Sequence, residues 1–246
     1  MKLCKNFGLL VLSLGILLPA CRSGNDGVTG ASARARMDVP KLIESGTSED
    51  GTSVNLNNKR IGLKGVRILA ETEKVKNVRS LALKTNKLGD EGVAILAESP
   101  TFQSVEKLFL WDNQVTVGGI KSLVKSAHFN NLTELNLMRN QLGDEGVKLL
   151  VQSEKVGQIT LLDLGANEIG DAGAIAIANS PHLENLKRLD LFRNKISSKG
   201  IEALIRSKHL PNLEFLDLTA NAVDIEQIPF LEKMADLPNL KVLIIQ

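Results

Sequence analysis

Three histidines, His128, His182 and His209, fall in one column of a 27-residue spacing, and Lys155 takes the position between the first two. Imidazoles that recur on neighbouring layers of a chain are candidate metal ligands. No Cys, Asp or Glu completes a ligand set around them. A His at the end of a helix also has a simpler use, bonding the last free carbonyls. A second column, again spaced by 27, holds Asp163, Asp190 and Asp217. Carboxylates held side by side raise one another's pKa, and such a row could exchange protons or hold a cation. Arg188 and Arg193 stand close enough in sequence to compensate it, which leaves the row a role in setting charge preference for a basic partner. The sequence contains no P-loop, no G-x-S-x-G, no H-E-x-x-H and no Cys–His pairing. Neither a catalytic residue nor a metal nor a cofactor is expected.

The aromatic residues say more. Tyr is absent, Phe102 and Phe129 share an apolar column, and Phe230 belongs to a late helical stretch. The other four outside the leader, Phe109, Trp111, Phe192 and Phe215, alternate with leucines and so point away from them. Met138 shares the column of Trp111, with Arg139 beside it, and Arg193 follows Phe192. Trp, Phe, Met and Arg gathered on one outward face have the composition of a binding hot spot. These residues, with the Asp column, are the expected contacts for a partner.

The elements that position them repeat. Asparagines stand at Asn86, Asn113, Asn140, Asn167, Asn194 and Asn221, each 27 after the last, without insertion. Each is preceded by leucines in an L-x-x-L-x-L-x-x-N-x-L unit. The L-x-L pair alternates with period 2 and predicts a short strand with one buried face. The Asn amide can bond backbone groups that the following turn leaves unpaired. Next come Gly and then Asp90, Asp144 or Asp171, placed where the N-cap of the coil's own helix is expected. Val93, Leu96 and Ala97 follow at i, i+3 and i+4, the buried stripe of that helix. Ser99, Ser126, Ser153, Ser180 and Ser207 mark its far end. A last column, Val75, Phe102, Phe129, Val156, Leu183, Leu210 and Leu237, seals the return loop. One strand and one helix per repeat make an α/β solenoid with parallel strands. Strands pack about 4.8 Å apart and helices about 10 Å apart, so the stack bends into a horseshoe, strands concave and helices convex.

These units resemble the leucine-rich repeats of the ribonuclease-inhibitor-like subclass. The resemblance runs over residues 54–246, with Lys59 in place of the first Asn and the last unit stopping at Gln246 before its own. Terminal units of solenoids are often degenerate. Residues 38–53, which include a short helix from Asp38, are expected to cap the first coil. At the other end, Leu240 to Gln246 is expected to form the final strand, with an edge open to self-association.

Residues 1–20, with Lys2 and Lys5 ahead of an apolar stretch from Phe7 to Leu18, read as a signal peptide too short to span a bilayer. Leu18-Pro19-Ala20-Cys21 resembles a bacterial lipobox, with Pro19 departing from the usual small residue. Cys21 would then be lipidated, which also accounts for a thiol left without a partner once Cys4 is removed. Arg22 after it implies the outer membrane. Residues 21–37 read as the lipidated Cys and a flexible tether. Loss of Lys2 and Lys5 would leave 28 basic and 28 acidic side chains, and no basic run appears, so nucleic acid is not an expected partner. The expectation is a lipid-anchored cell-envelope protein that binds another protein through its concave face. Alternatives are a regulator of an enzyme, since Ran GTPase-activating proteins share this repeat, and a structural or glycan-binding envelope component.

Overall fold

The computed structural model describes residues 37–245. The leader, Cys21 and most of the tether lie outside the described residues. A three-residue strand centres on the first apolar residue of each L-x-L pair: β1 Ser53–Asn55, β2 Ser80–Ala82, β3 Lys107–Phe109, β4 Glu134–Asn136, β5 Leu161–Asp163, β6 Arg188–Asp190, β7 Phe215–Asp217 and β8 Val242–Ile244. All eight join one parallel sheet in sequence order. Leu81 pairs beside Leu108, Leu108 beside Leu135 and Leu135 beside Leu162, so the sequence period is the sheet register.

The helices form the second layer. The first, α1 Val39–Gly46, precedes the repeats, and the Asp38 carboxylate caps it by accepting from the Lys41 amide at 3.1 Å. Its buried Val39 and Ile43 close the open end of the first coil. One helix follows each of the first seven strands: α2 Gly62–Ala70, α3 Gly89–Glu98, α4 Val117–Lys125, α5 Gly143–Val151, α6 Asp171–Ala178, α7 Ser198–Ile205 and α8 Ile228–Met234. Each packs on the next in order. With strands at about 4.8 Å and helices at about 8–10 Å, the unequal spacing curves the layers and puts the sheet inside. The core lies between them. Both strand-leucine columns are fully buried from Leu81 to Leu218, and so is the whole return-loop column from Val75 to Leu210.

Polar side chains tie each coil to the next. The Asn113 carbonyl oxygen accepts from the amides of Asn86 and Leu88, one coil back, at 3.0 and 3.4 Å. Its amide group donates to the carbonyls of Leu83, Leu110 and Trp111. Asn86, Asn140, Asn167, Asn194 and Asn221 likewise donate back into the preceding coil. Serines do the same at the helix ends. The hydroxyls of Ser99, Ser126, Ser180 and Ser207 donate to the carbonyls of Ala70, Ala97, Val151 and Ala178.

Asp90, Asp144 and Asp171 depart from the sequence expectation. Asp90 and Asp144 sit inside the first turn of α3 and α5, whose N-cap positions are held by Leu88 and Leu142 without a capping side chain. The carboxylates reach across to the following helix instead. Asp90 accepts from the Thr116 amide and hydroxyl at 2.7 and 2.6 Å. Asp144 accepts from the amides of Gly170 and Gly173 at 2.7 and 2.9 Å, and Asp171 from those of Ser197 and Gly200 at 2.8 and 3.1 Å. Free N–H groups at a helix start can donate to a carboxylate of their own coil or of the neighbouring one, and here the neighbour is better placed. A Cβ on Gly173 or Gly200 would lie within 2.7 or 2.6 Å of these carboxylate oxygens, so the glycines make room for them.

The end of the stack is looser. Leu243 is only partly buried, Ile245 is buried, and Val242, Ile225 and Phe230 are exposed. Among the described residues no helix is long and apolar enough to cross a membrane.

Candidate functional site

Alternation along each strand turns the first and third residues outward, together with the residue after the second core leucine. On the third coil these are Lys107, Phe109 and Trp111, and on the fourth Glu134, Asn136 and Met138. The fifth presents Leu161, Asp163 and Gly165, the sixth Arg188, Asp190 and Phe192, and the seventh Phe215, Asp217 and Thr219. Eight of the ten expected contact residues therefore share the strand side. Arg139 and Arg193 lie just past it, exposed, at φ 55° and 52°.

The four aromatics do not form one cluster. Phe109 and Trp111 share the third coil, and Phe192 and Phe215 lie on the sixth and seventh. Three strand steps, about 14 Å, separate the two sets. In the first set the Lys84 ammonium stands 5.4 Å from the Phe109 ring and 5.5 Å from the Trp111 ring. In the second the Arg188 guanidinium stacks on Phe215 at 3.6 Å, and Arg193 lies 5.8 Å from the Phe192 ring. Such contacts hold flat side chains in place at about 0.5–1 kcal/mol each on a surface. Met138 stands between the sets.

The Asp row has a structural duty that sequence reasoning missed. Asp163, Asp190 and Asp217 accept from the amides of Gly165, Phe192 and Thr219, two residues on, at 3.1, 3.1 and 2.9 Å. Each thereby closes the turn that ends its strand. Asn136 makes the same bond to Met138 in the same column. The compensation expected from arginines is partial, since Arg188 approaches Asp190 only to 3.9 Å and Arg193 makes no ion pair among the described residues.

Burial pushes the Asp163 carboxyl up to about 6; the Gly165 amide opposes this, the Asp190 charge adds to it, and Asn136 and Arg188 oppose it. Burial also raises Asp190, against the Phe192 amide, with Asp217 adding and Arg188 opposing. The Asn136 amide donates to Asp163 at 2.6 Å, a partner visible in sequence only as a shared column. A carboxyl raised in the fold favours the folded state when protonated. Its contribution is full below the ordinary value of 3.8 and is lost as pH rises through about 6. Asp163→Asn, which keeps a neutral group of the same shape, should therefore gain on wild type by on the order of 1 kcal/mol at pH 7 and not at pH 4. Urea midpoints at the two pH values check this, and equal pH dependence in both proteins would refute it.

The His column does not cap helices. The backbone amides of His128, His182 and His209 donate to Ser126, Ser180 and Ser207, and it is those serine hydroxyls that reach the helix carbonyls. Among the described residues no three metal-ligating side chains converge. On the helix side, Arg206 and Lys208 beside His209 are already paired with Glu202 and Asp236.

Four stretches of the chain, residues 76–97, 129–151, 159–178 and 182–204, match the family described as Leucine Rich repeat. The domain is a leucine-rich repeat solenoid. Among solved structures, the solenoid is similar to an internalin from Listeria monocytogenes at 20% identity and TM-score 0.49, over 71% of this chain and 44% of that one. It is also similar to internalin C2 from the same organism at 23% identity and TM-score 0.49, over 79% and 80% of the two chains. The chain thus spans less than half the length of the first of these. No curated protein matches the sequence. The strand side of the solenoid carries four of its outward aromatics, and the fifth, Phe230, is exposed on α8.

Proposed function

We propose that this is a lipid-anchored leucine-rich repeat protein of a bacterial cell envelope that binds another protein through its concave strand face. One observation carries the binding assignment. Phe109, Trp111, Met138, Phe192 and Phe215 are held half-buried on the strand side, outside the core that the leucines already fill. Rigid aromatic side chains flanked by arginine are the groups that supply most binding energy at protein interfaces. The anchor rests on the lipobox-like Leu18-Pro19-Ala20-Cys21, and the outer membrane on Arg22. The 27-residue period with an α-helix after each of the first seven strands supports the ribonuclease-inhibitor-like subclass.

Two measurements test this. Capture of a partner from host or envelope extracts should be lost by the double variant Trp111→Ala, Phe192→Ala and kept by Lys148→Ala on the helix side. Equal loss in both, or in neither, would remove the strand face from the assignment. Metabolic labelling with a fatty-acid analogue should mark wild type and not Cys21→Ser. Equal labelling of the two would remove the anchor.

A further inference from the structure

Charge is spread unevenly along the solenoid. Residues 53–89, from the start of β1 to the first residue of α3, contain nine basic side chains and two acidic ones, Glu71 and Glu73. Residues 90–246 contain 15 basic and 21 acidic side chains. The first two coils therefore carry a formal +7 and the rest of the solenoid −6.

Within the first two coils the cations divide by position. Arg67, Lys74, Lys76 and Arg79 pair with Glu91, Glu44, Glu73 and Glu106. Lys59, Arg60, Lys64, Lys84 and Lys87 make no ion pair among the described residues. All five stand between the end of a strand and the first turn of the next helix. The two turns lie against each other, since the Asn58 amide donates to the Lys84 carbonyl at 2.8 Å and the Gly62 amide to the Asn86 carbonyl at 3.2 Å. Arg60 and Lys87 share one column and one backbone conformation, at φ 53° and 56°, so adjacent coils present them side by side. The repeat does not ask for a cation there, because Gln114, Gln141 and Glu168 follow in that column. Lys59, Arg60, Lys64 and Lys87 are exposed.

The acids of this end lie elsewhere. Asp38 and Glu44 border a groove with Thr72, Glu73 and Lys74, past the far end of α2. Glu49 and Asp50 precede β1, at the other end of the strand, and Asp50 is bonded to Ser48 and Thr52. In the coils that follow, Asp90 is engaged by Thr116 and Glu91 by Arg67. Asp112, in the turn of the third coil, makes no ion pair among the described residues. Like charges crowded into two adjacent turns repel one another and attract an anionic surface. The covalent order of the chain says which surface. Cys21 precedes α1, and α1 closes the first coil, so a lipid on Cys21 tethers the solenoid through its basic end.

Resting on the lipid-anchor reading above, we infer that the turns of the first two coils dock on anionic phospholipid headgroups through Lys59, Arg60, Lys64 and Lys87. Near such a surface each Lys or Arg strengthens binding about fivefold, and the attraction fades within a Debye length of about 10 Å. The acidic coils are repelled by the same surface, which leaves the later part of the strand face free to meet a partner.

Every core residue described above lies within residues 37–245, so the chain from Cys21 keeps the whole fold, and Cys21→Ser removes any lipid. This chain is sedimented with vesicles of phosphatidylcholine alone and of phosphatidylcholine mixed with phosphatidylglycerol. It should pellet with the mixed vesicles only, and less as salt is raised. Lys59→Gln, Arg60→Gln, Lys64→Gln and Lys87→Gln together should weaken this binding by about a hundredfold or more. The same loss of charge on the helices, by Lys121→Gln, Lys125→Gln, Lys148→Gln and Lys199→Gln, should weaken it several-fold at most. Lys59→Arg, Lys64→Arg and Lys87→Arg, which keep the charge, should retain it. Equal weakening by the two neutral sets, equal pelleting with both kinds of vesicle, or binding to duplex DNA as tight as to the mixed vesicles would overturn the docking. Acyl labelling separates the two levels. Label on Cys21 without vesicle binding overturns the docking and leaves the anchor standing. Vesicle binding without label on Cys21 removes the anchor and leaves the docking standing.

Discussion

Asn113→Ala should lower the stability of the domain by about 3–5 kcal/mol, more than any single surface change. The side chain is fully buried and serves five backbone groups on two coils. Removing it leaves the Asn86 amide and the Leu83 carbonyl without partners in a dry turn, while the Leu110 and Trp111 carbonyls keep the bonds they accept from Asn140 and Thr85. Each such group costs about 1–3 kcal/mol when nothing replaces the bond, although the terms do not add fully and the Leu88 contact is long. Asn131→Ala removes one exposed bond, to the Gln103 carbonyl, and should cost under about 1 kcal/mol. Asn113→Asp distinguishes the two halves of the amide. It keeps an acceptor, loses the donors and buries a charge, and should be no better tolerated than Ala. Urea midpoints measure all three, and equal midpoints for Asn113→Ala and Asn131→Ala would show that the ladder contributes nothing.

Leu137→Ala should cost about 2–5 kcal/mol through the cavity it leaves. The residue is fully buried in the middle of the stack, between Leu110 and Leu164 of the same column. Neighbouring coils are pinned by strand pairing on one side and helices on the other, so the site cannot collapse to fill the space. Lys84→Ala, on the outward side, loses only its approach to two rings and should cost under about 1 kcal/mol. Denaturation midpoints ranking these two the other way would mean that the inward and outward columns are exchanged.

How much of this was legible beforehand follows from what a period encodes. A strict 27-residue repeat fixes which residues stack, so Leu81, Leu108 and Leu135 and the buried asparagines could be placed from their spacing. It does not encode the angle at which one helix meets the next. Asp90 therefore looked like the cap of its own helix, whereas its bond runs to Thr116 on the following coil. The His column misled for a related reason. Ser126, two residues before His128, is short enough to reach the buried Ala97 carbonyl, and the imidazole is not needed. The split of the aromatics was in the numbering all along, because Trp111 and Phe192 are three coils apart.

The ties between coils are not evenly distributed. At the third-to-fourth joint the position of Asp90 is occupied by Val117, and Ser153, half-buried where its counterparts are buried, makes no bond to the helix before it. An exposed Lys155–Asn130 contact is what remains of the polar links on that side, while β3 and β4 stay fully paired. Between the coils of Trp111 and Phe192, stiffness in the helix layer is thus interrupted once, along a line passing between Trp111 and Met138. The strand pairing acts there as a leaf spring, and the two halves of the inner surface can change their mutual angle without breaking a buried polar bond. Spin labels placed on α4 and α5 should report a broader spread of separations than labels on α3 and α4 or on α5 and α6. A partner gripping Trp111 on one half and Phe192 on the other would then be closed upon by the bending of one joint, with every coil remaining folded.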